Sequence, residues 1–400
     1  MQSGDQIHQV RQATDIVELI GQQIRIQPKG REFVALCPFH DDSNPSMTVS
    51  PTKQIYKCFA CGAGGGAFDW MINYHKMTFP EALRFLAERA GITLERRGRE
   101  SGDQPNDRQR MSEATEHALG WFRATLGRPQ GATARAYVEQ RGISPEMVEQ
   151  FQLGCAPDAW DDLAQDVAAN RWDPRSFRSA GLIHGRQSGS GDIDRFRHRL
   201  MFPIFDGLGR PIAFGGRILP RQTPSDREEA KYLNSPESAL FNKSATLYGL
   251  HLARNEIGKR RCAVIVEGYT DVIACHQHGL SHVVATLGTA LTTQHVGVLR
   301  RFSEKVVLVF DADEAGQKAA DRAVEVFLGG ELDVAVSILP DGLDPASLLE
   351  QADGAARFEA LLSEATDALD YQFQRVADEY RGASTMAGQH RIAEQYVDRL

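Results

Sequence analysis

The chain has 400 residues, 42% hydrophobic and 24% charged, with a formal net charge of −8. That is enough apolar material for two or three domains with cores of their own, and it excludes a fibrous or disordered class. No stretch approaches the roughly 20 apolar residues that span a bilayer, and MQSGDQIHQVRQATD lacks the basic start and apolar middle of a signal peptide, so the expected location is the cytoplasm, with no membrane partner.

Net acidity argues against nonspecific coating of nucleic acid, but the charge is uneven. Residues 195–217 carry five arginines against one aspartate, whereas residues 311–375 hold fifteen acids against four bases. Contact with a polyanion is expected on the basic run alone.

In chain order, residues 1–95 read as a compact first unit. An opening helix presents Ile16, Val17, Leu19 and Ile20 on one face, with Thr14 as its expected N-cap. Three short strand-like runs follow, REFVALC, SMTVS and QIYKC, then a helical stretch from Phe68 to Ala90. Within this unit Cys37-Pro-Phe-His40, seventeen residues, and Cys58-Phe-Ala-Cys61 supply two ligand pairs, each spaced by two residues. Such a set suits one closed, tetrahedral, structural Zn²⁺, and a unit this small needs a staple. The remaining cysteines, Cys155, Cys262 and Cys275, read as buried thiols. Phe33, Phe39, Tyr56 and Phe59, interleaved with Arg31, Lys53 and Lys57, are either base-stacking positions or core aromatics beside a solvated face. The run GAGGGAFDW lacks the Gly-Lys-Ser/Thr ending of a phosphate loop and reads as a turn leaving the zinc knuckle.

Residues 96–111, RRGRESGDQPNDRQRM, read as a flexible linker. A helical segment from about Ser112 to Gln150 is interrupted at RGISP, where Ser144 before Pro145 can cap a new helix. LMFPIF, DGLG and RPIAFGGRIL then spell a hairpin. From Gly258, apolar runs alternate with helical ones, the pattern of a parallel sheet with helices on its faces; the segment from Pro345 onward is helical.

In such a sheet functional groups gather at the carboxyl ends of the strands. Here CAVIVEG ends in Glu267, with Asp271 one turn into the next helix, VVLVFDAD ends in Asp311 and Asp313, and VAVSILPDGLD ends in Asp341 and Asp344. Two carboxylates about 4 Å apart repel by ~4 kcal/mol at an effective dielectric of ~20, so the cluster calls for a cation. An all-oxygen ligand set favours Mg²⁺ or Mn²⁺, as in metal-assisted phosphoryl transfer.

These residues carry a resemblance. VIVEGYTDVIA, VVLVFDADEAG and ILPDGLDP resemble the Toprim catalytic domain. Preceded by ALCPFHDDSNPSMTV, YKCFACGAGG, RFRHRLMFPI, AFGGR and KYLNSPES, they resemble the bacterial DnaG-type DNA primases over nearly the whole chain. The fold implied is α/β and multidomain: a small zinc-ribbon-like β-sheet domain (1–95), the linker (96–111), a basic mixed α+β subdomain (112–257), a Toprim parallel β/α sheet (258–345) and a partial C-terminal helical segment (346–400).

The activity implied is synthesis of short RNA primers on a single-stranded DNA template from ribonucleoside triphosphates, leaving an RNA–DNA hybrid. The resemblance makes Glu267, Asp311 and Asp313 the Mg²⁺- or Mn²⁺-binding acids, supported by Asp271 and Asp344. It directs Arg141, Arg199, Arg217, Lys231 and Lys243 toward nucleotide or template, Lys231 at the chemistry itself and Lys243 near the initiating nucleotide. It also implies a replicative helicase and single-strand-binding protein as partners at the replication fork, although the family's helicase-binding domain is expected to be absent from this stretch. One departure is that the family's Asp-Pro-Asp reads Asp344-Pro345-Ala346, which removes a peripheral acid. Rival readings are a Toprim nuclease or topoisomerase, and a non-enzymatic recombination mediator that also pairs zinc with Toprim. The mediator gives no reason for residues 195–243.

Overall fold

The computed structural model describes residues 4–92, 94, 105–186, 190–221, 229–312, 314–328, 332–340 and 342–397. The chain divides into two compact units, Met1–Gln109 and Arg110–Leu400. Among the described residues no helix is long and apolar enough to cross a membrane.

The first unit is built on a five-stranded antiparallel sheet. Its strands, Gln27–Lys29, Glu32–Ala35, Met47–Ser50, Ile55–Cys58 and Gly64–Gly65, lie side by side in chain order. Helices Gly4–Ala13 and Ile16–Gly21 precede it, and Ala67–His75 and Phe79–Arg89 follow. Asp15, not Thr14, caps the second helix: its carboxylate accepts the amides of Val17 and Glu18, while the Thr14 hydroxyl turns back to donate to the Val10 carbonyl. The stretch read as one helix from Phe68 to Ala90 is two, because Lys76 adopts φ 54° and Thr78 with Glu81 forms a new capping box. Leu19, Ile20, Met47, Val49, Tyr56, Trp70, Leu83 and Leu86 form the buried centre.

The helix Pro105–Gly127, which runs into the second unit, starts inside the stretch expected to be a linker, so residues 105–111 are helical. Met111 and Ala114 are buried, so this end of the helix already packs on a core. Ser144 caps Pro145–Gln150 as expected, accepting the Met147 amide. The hairpin Arg199–Phe205/Pro211–Ile218 lies at the centre of a four-stranded antiparallel sheet, flanked by Gly154–Ala156 and Tyr232–Asn234.

The second sheet of this unit has strand order Val283–Ala285, Cys262–Val266, Lys305–Phe310, Asp333–Ile338 and Thr366–Asp367. All its pairings are parallel except the last. Its helices Tyr269–Gln277, Thr293–Leu299 and Glu314–Leu328 follow the strands as the alternation predicts. The chain ends in helices Pro345–Leu349, Gly354–Ser363, Ala368–Gly382 and Met386–Val397.

Period-two alternation explains how the sheets share a core. Leu200, Phe202 and Ile204 from the hairpin and Val307 and Val309 from the parallel sheet join one apolar cluster with Val264, Val266 and Tyr269. The alternate residues Met201 and Phe205 face a second cluster, and Val306, Leu308 and Phe310 a third. The central strands of both sheets are therefore buried on two faces, and Tyr269, just past the strand Cys262–Val266, packs on the hairpin through Phe202.

Candidate functional site

In the first unit, the strand ends bring Cys37, His40, Cys58 and Cys61 together with one ligand atom of each within 4.8 Å of every other. The Cys37 and Cys61 sulfurs are 3.7 Å apart, close to the ~3.8 Å edge of a tetrahedron with Zn–S of about 2.3 Å. His40 Nδ1 is buried with no hydrogen-bond partner, the state of a nitrogen aimed at a metal. The donor set therefore fits zinc.

Asp42 buttresses the cluster: one oxygen accepts the Cys37 amide at 2.8 Å and the Ser46 hydroxyl at 2.5 Å, and that hydroxyl lies 3.3 Å from the Cys58 sulfur. Burial pushes the Cys37 thiol up to about 12. Burial also raises Cys58, but the Ser46 hydroxyl and the amides of Cys61 and Ala60 outweigh it and bring that thiol down to about 6. Of the aromatics read as either stacking or core positions, Tyr56 is core and Phe39 packs on Tyr56 and Trp70, whereas Phe59 stands 79% exposed on the second knuckle.

In the second unit the acids lie at the carboxyl ends of the parallel strands. Glu267 follows Cys262–Val266 and Asp311 follows Lys305–Phe310. Asp344 caps Pro345–Leu349 by accepting the Ser347 amide at 2.7 Å. Asp271 is 8% exposed in the first turn of Tyr269–Gln277. Burial, then the charges of Asp344, Asp311 and Glu267, push the Asp271 carboxyl up to about 7 against the opposing Gly268 amide. Asp344, Asp311 and Glu267 are thus within electrostatic reach of Asp271, an excess of negative charge that a divalent cation fits. Among the described residues this group is looser than the cysteine–histidine set. Asp313 and Asp341 lie outside the described residues.

Tyr269 joins this acidic end to the basic hairpin. Its hydroxyl donates to Asn234 Oδ1 at 2.7 Å, its ring stacks on Phe202, and it lies 5.9 Å from the ring of Tyr232. Asn234 in turn donates to the Leu287 carbonyl beyond the neighbouring strand. The glycines before Arg217 make room: a Cβ at Gly215 would stand 2.4 Å from the Tyr269 hydroxyl, and one at Gly216 would stand 2.9 Å from Arg199 Cδ.

Arg217, paired across the sheet with Tyr232, donates to that tyrosine's hydroxyl at 2.9 Å. Arg141, exposed at the end of Ala132–Gln140, donates to the Tyr137 hydroxyl at 2.9 Å. Gln277 clamps the following loop by accepting the Ser144 amide and donating to the Gly142 carbonyl. Lys231 is exposed, with its own carbonyl tied to the Ile218 amide. The Lys243 carbonyl hydrogen-bonds the buried His295 at 2.9 Å.

Arg199 differs from its expected role. It is 5% exposed and donates to the carbonyls of Gly216 and Ala230. Every residue of its strand is buried, so its guanidinium braces the hairpin instead of facing solvent.

Three family models match in succession: the CHC2 zinc finger over residues 2–102, the DNA primase catalytic core, N-terminal domain over residues 121–254, and the Toprim domain over residues 261–339. The Aquifex aeolicus primase structure with its zinc-binding and RNA polymerase domains is 30% identical, with a TM-score of 0.62, covering 99% of this chain and 96% of that one. The chain belongs to the DnaG-type DNA primase family.

A DnaG primase catalytic domain solved bound to ssDNA is 33% identical, with a TM-score of 0.64 over 74% of this chain and 94% of that one. The DNA primase of Halalkalibacterium halodurans is 40% identical over 353 residues, which are 88% of this chain and 58% of that protein. The chain thus spans less than two thirds of the length of this relative. What the motifs did not reveal in this DnaG-type chain are three residues beside the expected cations: Tyr137 against Arg141 and Arg217, Gln277 on the loop after Arg141, and His295 on the Lys243 carbonyl. Each acts through a contact or a hydrogen bond that leaves no sequence signature.

Proposed function

We propose that this chain synthesises short RNA primers on single-stranded DNA from ribonucleoside triphosphates. The observation that carries the reading is the cluster around Asp271 at the carboxyl ends of a parallel sheet, joined through Tyr269 and Tyr232 to guanidinium groups. Glu267, Asp311 and Asp313, with Asp271 and Asp344 in support, would hold Mg²⁺ or Mn²⁺. A divalent cation bound there supplies charge neutralisation for an attacking 3′-hydroxyl and a departing pyrophosphate.

The chain's own residues do the rest. Arg141, Arg217, Lys231 and Lys243 offset the phosphate charge of nucleotide and template, and guanidinium forks suit phosphate oxygens. The zinc unit reads the template, and Phe59 is its most exposed aromatic surface. A relative's catalytic domain is described as bound to ssDNA, which supports the same template class here. We assign 1–95 to the zinc domain, 112–257 to the basic subdomain and 258–345 to the Toprim catalytic part. A replicative helicase and a single-strand-binding protein are the partners this activity requires at a fork.

The test is primer synthesis from scratch on unprimed single-stranded DNA with labelled ribonucleotides and Mg²⁺ or Mn²⁺, beside Asp311→Asn. Short RNA from the parent chain and a loss of at least about a hundredfold in a folded variant are expected. Full activity in Asp311→Asn would remove the acid assignment, and metal-dependent nicking without RNA would move the chain to a Toprim nuclease.

A further inference from the structure

Tyr137 touches both arginines assigned to phosphate, although it belongs neither to the acids nor to the hairpin. It is 5% exposed on the helix Ala132–Gln140. Its hydroxyl accepts Nε of Arg141, one turn along, at 2.9 Å, and its ring lies 5.5 Å from that guanidinium carbon. The same ring lies 4.9 Å from the guanidinium carbon of Arg217, which arrives from the hairpin strand. Tyr232 holds Arg217 from the neighbouring strand through its hydroxyl and through its ring, 5.3 Å away. Arg217 Nε is buried with no hydrogen-bond partner.

Two cations held near one another repel, and each free arginine side chain carries substantial rotamer entropy. A tyrosine that offers one guanidinium its hydroxyl and the other its π face offsets the repulsion and removes that entropy before a ligand arrives. The buried Arg217 Nε is a donor that such a ligand can satisfy, since an unmade buried bond is costly.

We infer that Tyr137 is a positioning residue: it fixes the spacing of Arg141 and Arg217 so that together they receive phosphate oxygens, with Tyr232 holding Arg217 from the other side. This rests on the assignment of those arginines to nucleotide or template. The phosphate belongs either to the triphosphate of the incoming ribonucleotide or to the template backbone.

The test uses the full, zinc-loaded chain and the variants Tyr137→Phe, Tyr137→Leu, Arg141→Ala and Arg217→Ala. Two constants are measured, KM for ribonucleotide in primer synthesis and Kd for a single-stranded oligonucleotide. Tyr137→Leu should raise one of them by about tenfold with kcat nearly unchanged. A rise in KM identifies the triphosphate, and a rise in Kd the template.

Tyr137→Phe keeps the ring and loses the hydroxyl, so it should cost about threefold and add little to Arg141→Ala in the double variant. If Tyr137→Leu fails to fold, this cycle carries the test alone. Arginine variants that shift a constant beside Tyr137 variants that shift neither, or a Tyr137→Phe effect that adds in full to Arg141→Ala, overturn the inference. Arginine variants that leave both constants unchanged overturn the phosphate assignment itself, and the role of Tyr137 with it.

Discussion

At the zinc cluster the chemistry of single atoms decides the outcome. A sulfur replaced by a hydroxyl at Cys58 leaves three ligands, and a serine hydroxyl is a poor zinc donor at neutral pH. Structural zinc contributes roughly 10–16 kcal/mol to small zinc modules, as much as the whole stability of a typical domain. Cys58→Ser should therefore lower zinc from one per chain to near none, measured by atomic absorption, and abolish the thermal transition of the first unit. Retention of one zinc per chain would contradict the ligand set. These ligands were legible because metal coordination imposes short spacing on the chain itself. The Asp42–Ser46 buttress was not, since a carboxylate five residues past a cysteine has many other uses.

Secondary-structure elements place the site through close approach more than through propensity. The glycine pair of AFGGR lets the hairpin strand run against Tyr269 and Arg199. Gly215→Ala puts a methyl 2.4 Å from the Tyr269 hydroxyl, which forces a shift of a ring buried on all sides. The expected cost is about 1–3 kcal/mol in stability, read as a lower denaturation midpoint, together with reduced primer synthesis because the Tyr269–Asn234 bond links the two sheets. An unchanged midpoint would mean the ring moves freely. The long elements were readable: VVLVF is a continuous apolar run of strand length, and the helix after it follows in the strand–helix alternation. The strands Gly154–Ala156, Tyr232–Asn234 and Thr366–Asp367 were missed because two or three residues carry no periodic signal. Arg199 was directed toward nucleotide or template by the resemblance, and a motif match does not reveal that a strand is buried on both faces.

Across the second unit as a whole, buried ionisable groups pull stability in opposite directions. Burial holds the His251 and His282 imidazoles down at about 4 and lowers His276 as well. A histidine whose folded pKa lies below its unfolded value near 6.5 binds fewer protons when folded, so its contribution is lost as pH falls from about 6.5 toward 4. Burial also pushes the Asp194 carboxyl up to about 6, and that group acts with the opposite sign over much of the same range. The total pH slope therefore partly cancels, and the term has to be isolated at one residue.

His282 is suited to this, being 4% exposed, with Arg260, Glu256 and His276 as the charged or titratable groups acting on it. At about pH 7 it is neutral, and His282→Asn costs only packing. At about pH 4.5 the parent chain bears the cost of keeping the imidazole uncharged, so the stability gap between parent and variant should narrow by roughly 2 kcal/mol. Urea midpoints of both proteins at the two pH values measure it. A gap of constant size would show that His282 titrates as freely in the folded chain as in the unfolded one.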